Sequence, residues 1–166
     1  MKEIPLTQGQ VALIDDDMFD RISRFKWYAE KHPCGWYARA TLPFVNGKWP
    51  TVLMHQLIMG MPDSFVDHIN HNGIDNRIEN LRLATCRQNG MNRRKQKGTS
   101  SIYKGVCWHK KYEKWESLIK LPNGQREHLG MFDKEHENMA AFAYDLAAME
   151  HYGEFAKLNL SIYNQL

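Results

Sequence analysis

Apolar and polar positions change period several times along the chain. Val11-Ala12-Leu13-Ile14 is a short apolar run between polar residues, the pattern of a small strand. Asp17 can cap a helix running to about Arg24, with Phe19 and Ile22 three apart on its inner side. Trp27-Tyr28 and Trp36-Tyr37-Ala38 predict aromatic-rich strands, and Asn46-Gly47 signals a hairpin between residues 42–44 and 51–53. Residues 54–61 predict a helix stopped by Gly60 and Pro62, with Leu57, Ile58 and Met61 towards the core. His55 on this helix is expected to be a hydrogen-bonded core histidine or a support for a nearby site. Residues 65–69 and 81–84 predict two strands flanking a polar loop that holds Gly73. Thr85 followed by Gln88 is a capping box, so a helix starts there with Asn89 in its first turn.

Beyond Met91 the pattern lapses. Residues up to 101 carry no large apolar side chain and cannot build a core, which predicts a linker. Strands resume at 102–108, 114–120 and 126–132, the last two joined by a tight turn at Pro122-Asn123-Gly124. Asp133 can cap a helix to about Tyr152, with Met139, Phe142, Ala143 and Leu146 as its buried stripe and Gly153 as its stop. Trp115 shares parity with Ser117 and Ile119 and is expected in the core. Three strands covered by one helix leave the other face of the sheet open. The fold class is α+β.

Composition adds little, and charge more. The 166 residues are 43% hydrophobic and 25% charged, a globular balance that suits one ordinary domain or two small ones. No apolar run is long enough to span a membrane, and the N-terminus lacks an apolar signal core. Three scattered cysteines fit a reducing cytoplasm better than a disulfide framework. Residues 80–112 hold no Asp or Glu but nine bases: Arg82, Arg87, Arg93, Arg94, Lys95, Lys97, Lys104, Lys110 and Lys111. The other 13 of the 22 bases face all 19 acids, so a basic band lies on an otherwise acidic chain. That is the footprint of a nucleic-acid partner, or else a solvated basic face. A linker bearing Arg93, Arg94, Lys95 and Lys97 between two folded parts is suited to tracking phosphates.

The candidate chemistry lies in residues 66–89. Asp and Asn oxygens there are hard ligands for Mg²⁺ or Ca²⁺, and a neutral His beside such an ion can take a proton from water. Paired cysteines are missing nearby, which excludes a zinc ribbon. Adjacent side chains of a flat strand point to opposite faces, so Asp67 and His68 can serve one site only if the strand twists or ends there.

Asp67-His68, Asn80-Leu81 and Asn89 together resemble the zinc-free HNH (ββα-metal) nucleases of phage and bacterial homing endonucleases. Leu6-Thr7-Gln8-Gly9 and Lys26-Trp27-Tyr28 resemble the leader ahead of such modules. The resemblance implies that Asp67 and Asn89 hold one Mg²⁺ or Mn²⁺, that His68 is the general base, and that Asn80 braces the loop positioning His68. Arg82 is expected to hold a flanking phosphate. Residues 102–166 resemble the AP2 DNA-binding domain through Tyr103-Lys104-Gly105-Val106, Lys114-Trp115, Leu129-Gly130-Met131-Phe132, Ala143-Tyr144-Asp145 and Gly153-Glu154-Phe155-Ala156-Lys157-Leu158-Asn159. By motif position, Lys104, His109, Lys120, Arg126 and His128 would face DNA from the sheet. Trp108, Lys110 and Lys111 are further candidates. Cys107 stands where plant members carry Arg, and there is an extra residue around Lys110-Lys111-Tyr112.

The expected organisation is an α+β extension at 1–53, a nuclease core at 54–92, a basic linker at 93–101 and the AP2-like part at 102–166. The expected function is site-specific, metal-dependent cleavage of double-stranded DNA, of the homing type, by a monomer in the cytoplasm of a prokaryotic host or encoded by a phage. The alternative is a DNA-binding protein with an inactive nuclease core. A structural Ca²⁺ loop is disfavoured, because EF-hand spacing needs acids at alternate positions and a closing Glu.

Overall fold

Strand β1 (Lys2–Pro5) pairs antiparallel with β2 (Val11–Ile14), setting Ile4 opposite Ala12 in the interior. The computed structural model describes residues 1–95 and 98–160. The chain divides into two units, 1–85 and 86–166.

In the first unit a 3-10 turn at Asp16–Met18 leads into α1 (Phe19–Ile22), which is shorter than expected. Asp15, not Asp17, stands at the extended N-cap position, and the Trp27 indole N–H donates to the Ile22 carbonyl at 2.8 Å, closing the helix early. β3 (Trp27–His32), β4 (Gly35–Thr41) and β5 (Thr51–Leu53) form a sheet in that order. Residues 42–44 do not extend β4. A single bridge, Val45 to Lys48, closes the Asn46-Gly47 turn, and the exposed Phe44 and Trp49 rings meet at a tilt, 5.3 Å between centroids.

α2 (Met54–Ile58) stops a turn sooner than expected. Gly60 and Met61 both take positive φ, which ends the helix and leaves Met61 54% exposed rather than in the core. β6 (Phe65–His68) and β7 (Leu81–Ala84) form the last pair, with Asp67 opposite Arg82 and His68 opposite Leu81. Ile4, Ile14, Ile22, Trp27, Met54 and Leu81 belong to one buried cluster, so residues 1–53 and the candidate motif share a core.

The second unit opens with α3 (Cys86–Met91), starting where the Thr85 capping box puts it. β8 (Val106–His109), β9 (Lys114–Lys120) and β10 (Arg126–Phe132) pair antiparallel in the order β10-β9-β8. β8 starts four residues later than expected. Gly105 ahead of it has φ +78°, its carbonyl accepts from Leu118 N–H at 2.8 Å, and a Cβ there would lie 1.9 Å from the Tyr144 ring. A bulge between His128 and Gly130 inserts Leu129. Leu129 and Phe132 can therefore both pack on the helix side, while His128 and Met131 stay on the other.

Asp133 stands at the N-cap position of a 3-10 turn, Lys134–His136, without a side-chain capping bond, its carboxylate pairing with Lys114 instead, and α4 (Glu137–Tyr152) then covers the sheet. The buried stripe of α4 is Ala140, Ala141, Tyr144, Ala147, Ala148 and Tyr152. Met139, Phe142 and Leu146, expected inside, are 52%, 40% and 47% exposed. Alanines let the helix lie close enough for Ser117 Oγ–H to donate to the Ala140 carbonyl at 2.8 Å, an approach larger side chains would prevent. No helix among the described residues is long and apolar enough to cross a membrane.

Candidate active site

The polar loop between β6 and β7 is fixed from three sides. From β2, Leu13 N–H donates to the Ile74 carbonyl and its own carbonyl accepts from Asn76 N–H, both at 2.8 Å. Just past β2, the Asp15 carboxylate accepts from Ile78 N–H at 2.7 Å. From β4, the Trp36 carbonyl and Tyr37 ring come so close to Gly73 that a Cβ there would sit 2.5 Å and 2.7 Å from them. This close approach, not an unusual φ, is what requires glycine at 73.

Within the loop, Asn80 is buried. Its Oδ1 accepts from Asn70 N–H at 2.9 Å, and its Nδ2 donates to the Asp75 carbonyl at 2.7 Å. The first bond ties the two ends of the loop together, and the second ties its far end to its middle. The Asp75 carboxylate receives Nε and Nη2 of Arg77, each at 2.8 Å, and Nδ2 of Asn70. Arg77 first, and Asn70 after it, hold that carboxyl below the usual carboxylate range.

β6 ends at His68, and Asp67 and His68 are 7% and 6% exposed, Asp67 lying opposite Arg82 and His68 opposite Leu81 across the strand pair. Asp67 Oδ2 accepts from Arg82 Nε at 3.1 Å and Nη2 at 2.9 Å across the β6–β7 pair. Arg82, expected on a phosphate, is thus engaged by Asp67. His68 Nε2 lies 3.3 Å from Oδ1 of Asn76, a residue with no solvent exposure. With Oδ1 as acceptor, the His68 proton sits on Nε2 and Nδ1 is the unprotonated nitrogen. Burial pushes the His68 pKa down, so the ring is neutral at pH 7.

Against this ring stands His55, edge-on at 4.8 Å between centroids, with Tyr37 at 5.8 Å from His68 and 6.0 Å from His55. Burial, and secondarily His68, push the His55 pKa down to about 3. His55 Nδ1 is buried without a hydrogen-bond partner. Sequence reasoning does not single out Tyr37, Asp75 or Asn76. Asn76 lies in a run of polar residues where no period marks it as buried, and Tyr37 reads as an ordinary strand aromatic.

The remaining candidates lie in the second unit. Asn89 is half-buried on α3, and Arg93 and Arg94 after it are exposed. Lys95 is half-buried, and Lys97 lies outside the described residues. Cross-strand partners share a face, so His109, Lys120, Arg126 and His128 fall on the side of the sheet opposite α4. Two candidates do not. Trp108 pairs with Trp115, rings 4.9 Å apart, on the helix side, because it sits two residues from the core residue Val106. Lys104 folds inward over the Tyr144 ring, and its ammonium donates to the Met91 carbonyl. Burial and nearby Lys157 push its pKa down to about 8. Lys110 and Lys111 are exposed in the β8–β9 turn.

A family model described as HNH endonuclease matches residues 44–91. The chain is 33% identical over 159 residues to an uncharacterized HNH endonuclease of Acanthamoeba polyphaga mimivirus, an alignment spanning 92% of this chain and 76% of that protein. Over 55 residues it is 34% identical to Protein 3.8 of Escherichia phage T7, which covers 33% of this chain and 46% of that protein.

Proposed function

The chain belongs to the HNH endonuclease family, and from that premise we propose that it cuts double-stranded DNA at a preferred sequence, as a homing-type, divalent-metal-dependent endonuclease. The observation that carries this reading is the buried, neutral His68 held by Asn76 beside Asp67 at the end of β6.

HNH endonucleases generally depend on a divalent metal. The donor set here suits a hard cation. No group of three His, Cys, Asp or Glu among the described residues forms an all-protein cage. Mg²⁺ needs none, since it binds through one or two carboxylates and completes its shell with water and substrate phosphate oxygens. Asp67 supplies the carboxylate, and Asn89 is the second ligand by motif. A bound Mg²⁺ or Mn²⁺ would polarise the scissile phosphate and stabilise the leaving 3′ oxygen.

The chain's own groups do the proton work. His68 accepts a proton from the attacking water, Asn76 holds its ring at Nε2, and Asn80 fixes the loop. A general base so placed contributes about 10²–10⁴ in rate. One such site in a monomeric chain argues for nicking, in the cytoplasm where the DNA lies.

The second unit supplies site preference as an AP2-like module. Three antiparallel strands packed on α4, with His109, Lys120, Arg126 and His128 on the uncovered face, support this part of the reading. The basic tract from Arg93 tracks phosphates.

Supercoiled plasmid tests the proposal. Mg²⁺ should produce nicked circles, chelator should stop the reaction, and added Mg²⁺ or Mn²⁺ should restore it. Undiminished cutting in excess chelator rejects the metal. DNA binding without cutting under any divalent ion favours the inactive alternative.

A further inference from the structure

The uncovered face of the β8–β9–β10 sheet is not uniformly basic. Register puts Lys120 opposite Arg126 at one end of β9, and Lys114 opposite His109 at the other. Six residues of strand separate the two ends, about 20 Å. That reach takes in both phosphate walls of a major groove roughly 12 Å wide. Between them, two residues in from the Lys114 end of the middle strand, stands Glu116, with Cys107 on one side and Met131 on the other.

A carboxylate within a surface meant for a polyanion opposes binding unless it has a task. Among the described residues no Lys or Arg pairs with Glu116. Its partners there are the Cys107 thiol, at 3.7 Å from Oε2, and His128 Nε2, at 3.5 Å from Oε1. Both are long, weak interactions for a group with about four acceptor sites. The side chain is 19% exposed, which places it at the surface but restricts its movement. Cys107 is kept a thiol, and so a donor, by burial first and by Glu116 after it. The carboxylate is therefore held at the surface of this face with acceptor capacity to spare.

We propose that Glu116 is a specificity-determining acceptor on this face, taking a hydrogen bond from a cytosine N4 amino group in the major groove. This rests on the reading of the sheet as the DNA-recognition surface. Glutamate is suited to that amino donor, while guanine and thymine present acceptor oxygens that repel it. Phosphate contacts at the two ends set the register, and Glu116 rejects wrong bases between them.

The test selects binding sites from randomised duplexes, using the full chain in chelator so that the DNA stays whole. The wild type should select cytosine at one position. Glu116→Ala should lower discrimination there by roughly five- to 150-fold and raise affinity for scrambled duplex, because a repelling charge is gone. Glu116→Gln should move the preference towards adenine, whose N6 and N7 a carboxamide can bond together. A purely structural Glu116 would not produce that switch. The double variant Lys120→Ala, Arg126→Ala is the control on the underlying reading, with folding checked by circular dichroism. If it relaxes selection while both Glu116 variants select as the wild type does, the Glu116 assignment fails alone. If none of the three changes selection, the sheet is not the reading face and both fail.

Discussion

Replacing His55 by Gln should remove a large part of the pH dependence of the first unit's stability. His55 is 6% exposed, and its pKa is pushed down to about 3 by burial first and His68 second. In the unfolded chain a histidine titrates near 6.5. Between those values the unfolded state binds a proton that the folded state refuses, so stability rises with pH. The contribution is fully present above about 6.5 and is lost as pH falls towards about 3, at roughly 1.4 kcal/mol per pH unit. From pH 7 to pH 5 the loss is about 2 kcal/mol. Carboxylates and His68 titrate in both proteins, so the difference between wild type and His55→Gln isolates this residue. Hydrogen exchange of amides in β4 and α2, corrected for intrinsic rates, reports opening of the first unit by itself. The wild type should lose about 2 kcal/mol more than the variant between pH 7 and pH 5. Equal losses would show that His55 is not held as a buried neutral imidazole.

Gly105→Ala should destabilise the second unit by about 2–4 kcal/mol, since the new methyl meets the Tyr144 ring at 1.9 Å and φ is +78°. Thermal unfolding measures this, and an unchanged midpoint refutes the close approach. Asp67→Ala should weaken Mn²⁺ binding, read by calorimetry without DNA turnover; unaltered affinity removes Asp67 from the metal site. Changing Arg93, Arg94, Lys95 and Lys97 to Ala should weaken binding to all duplexes about equally and flatten the salt dependence by about 0.9 for each phosphate no longer neutralised. Binding titrations at several salt concentrations on selected and scrambled duplexes decide it, and weakening confined to one sequence counts against phosphate tracking.

Local signals are legible where one interaction decides the structure. The Thr85 capping box marks the start of α3, the Pro122-Asn123-Gly124 turn joins β9 to β10, and the alternation in residues 114–120 assigns β9 in full. Interactions between distant segments are not legible. Large apolar residues usually mark the buried face of a helix, which points to Met139, Phe142 and Leu146, but close packing of α4 on the sheet selects alanine instead. Charge points Lys104 outward, and only the fold brings it over Tyr144. The same holds at the candidate site. Asp67, His68 and Asn80 stand out by type and spacing, whereas Asn76 and Tyr37 meet His68 through the bond from β2 and the position of β4. The leader at 1–53 shows no chemistry of its own in the sequence, and its strands are what hold the loop.

Single-turnover cleavage of plasmid by His68→Ala, with DNA affinity measured in parallel, tests the central claim most directly. A base that acts in the transition state contributes to rate and not to ground-state binding. The rate should fall by about 10²–10⁴ with Kd unchanged. Cleavage by His68→Ala at the wild-type rate would contradict the account.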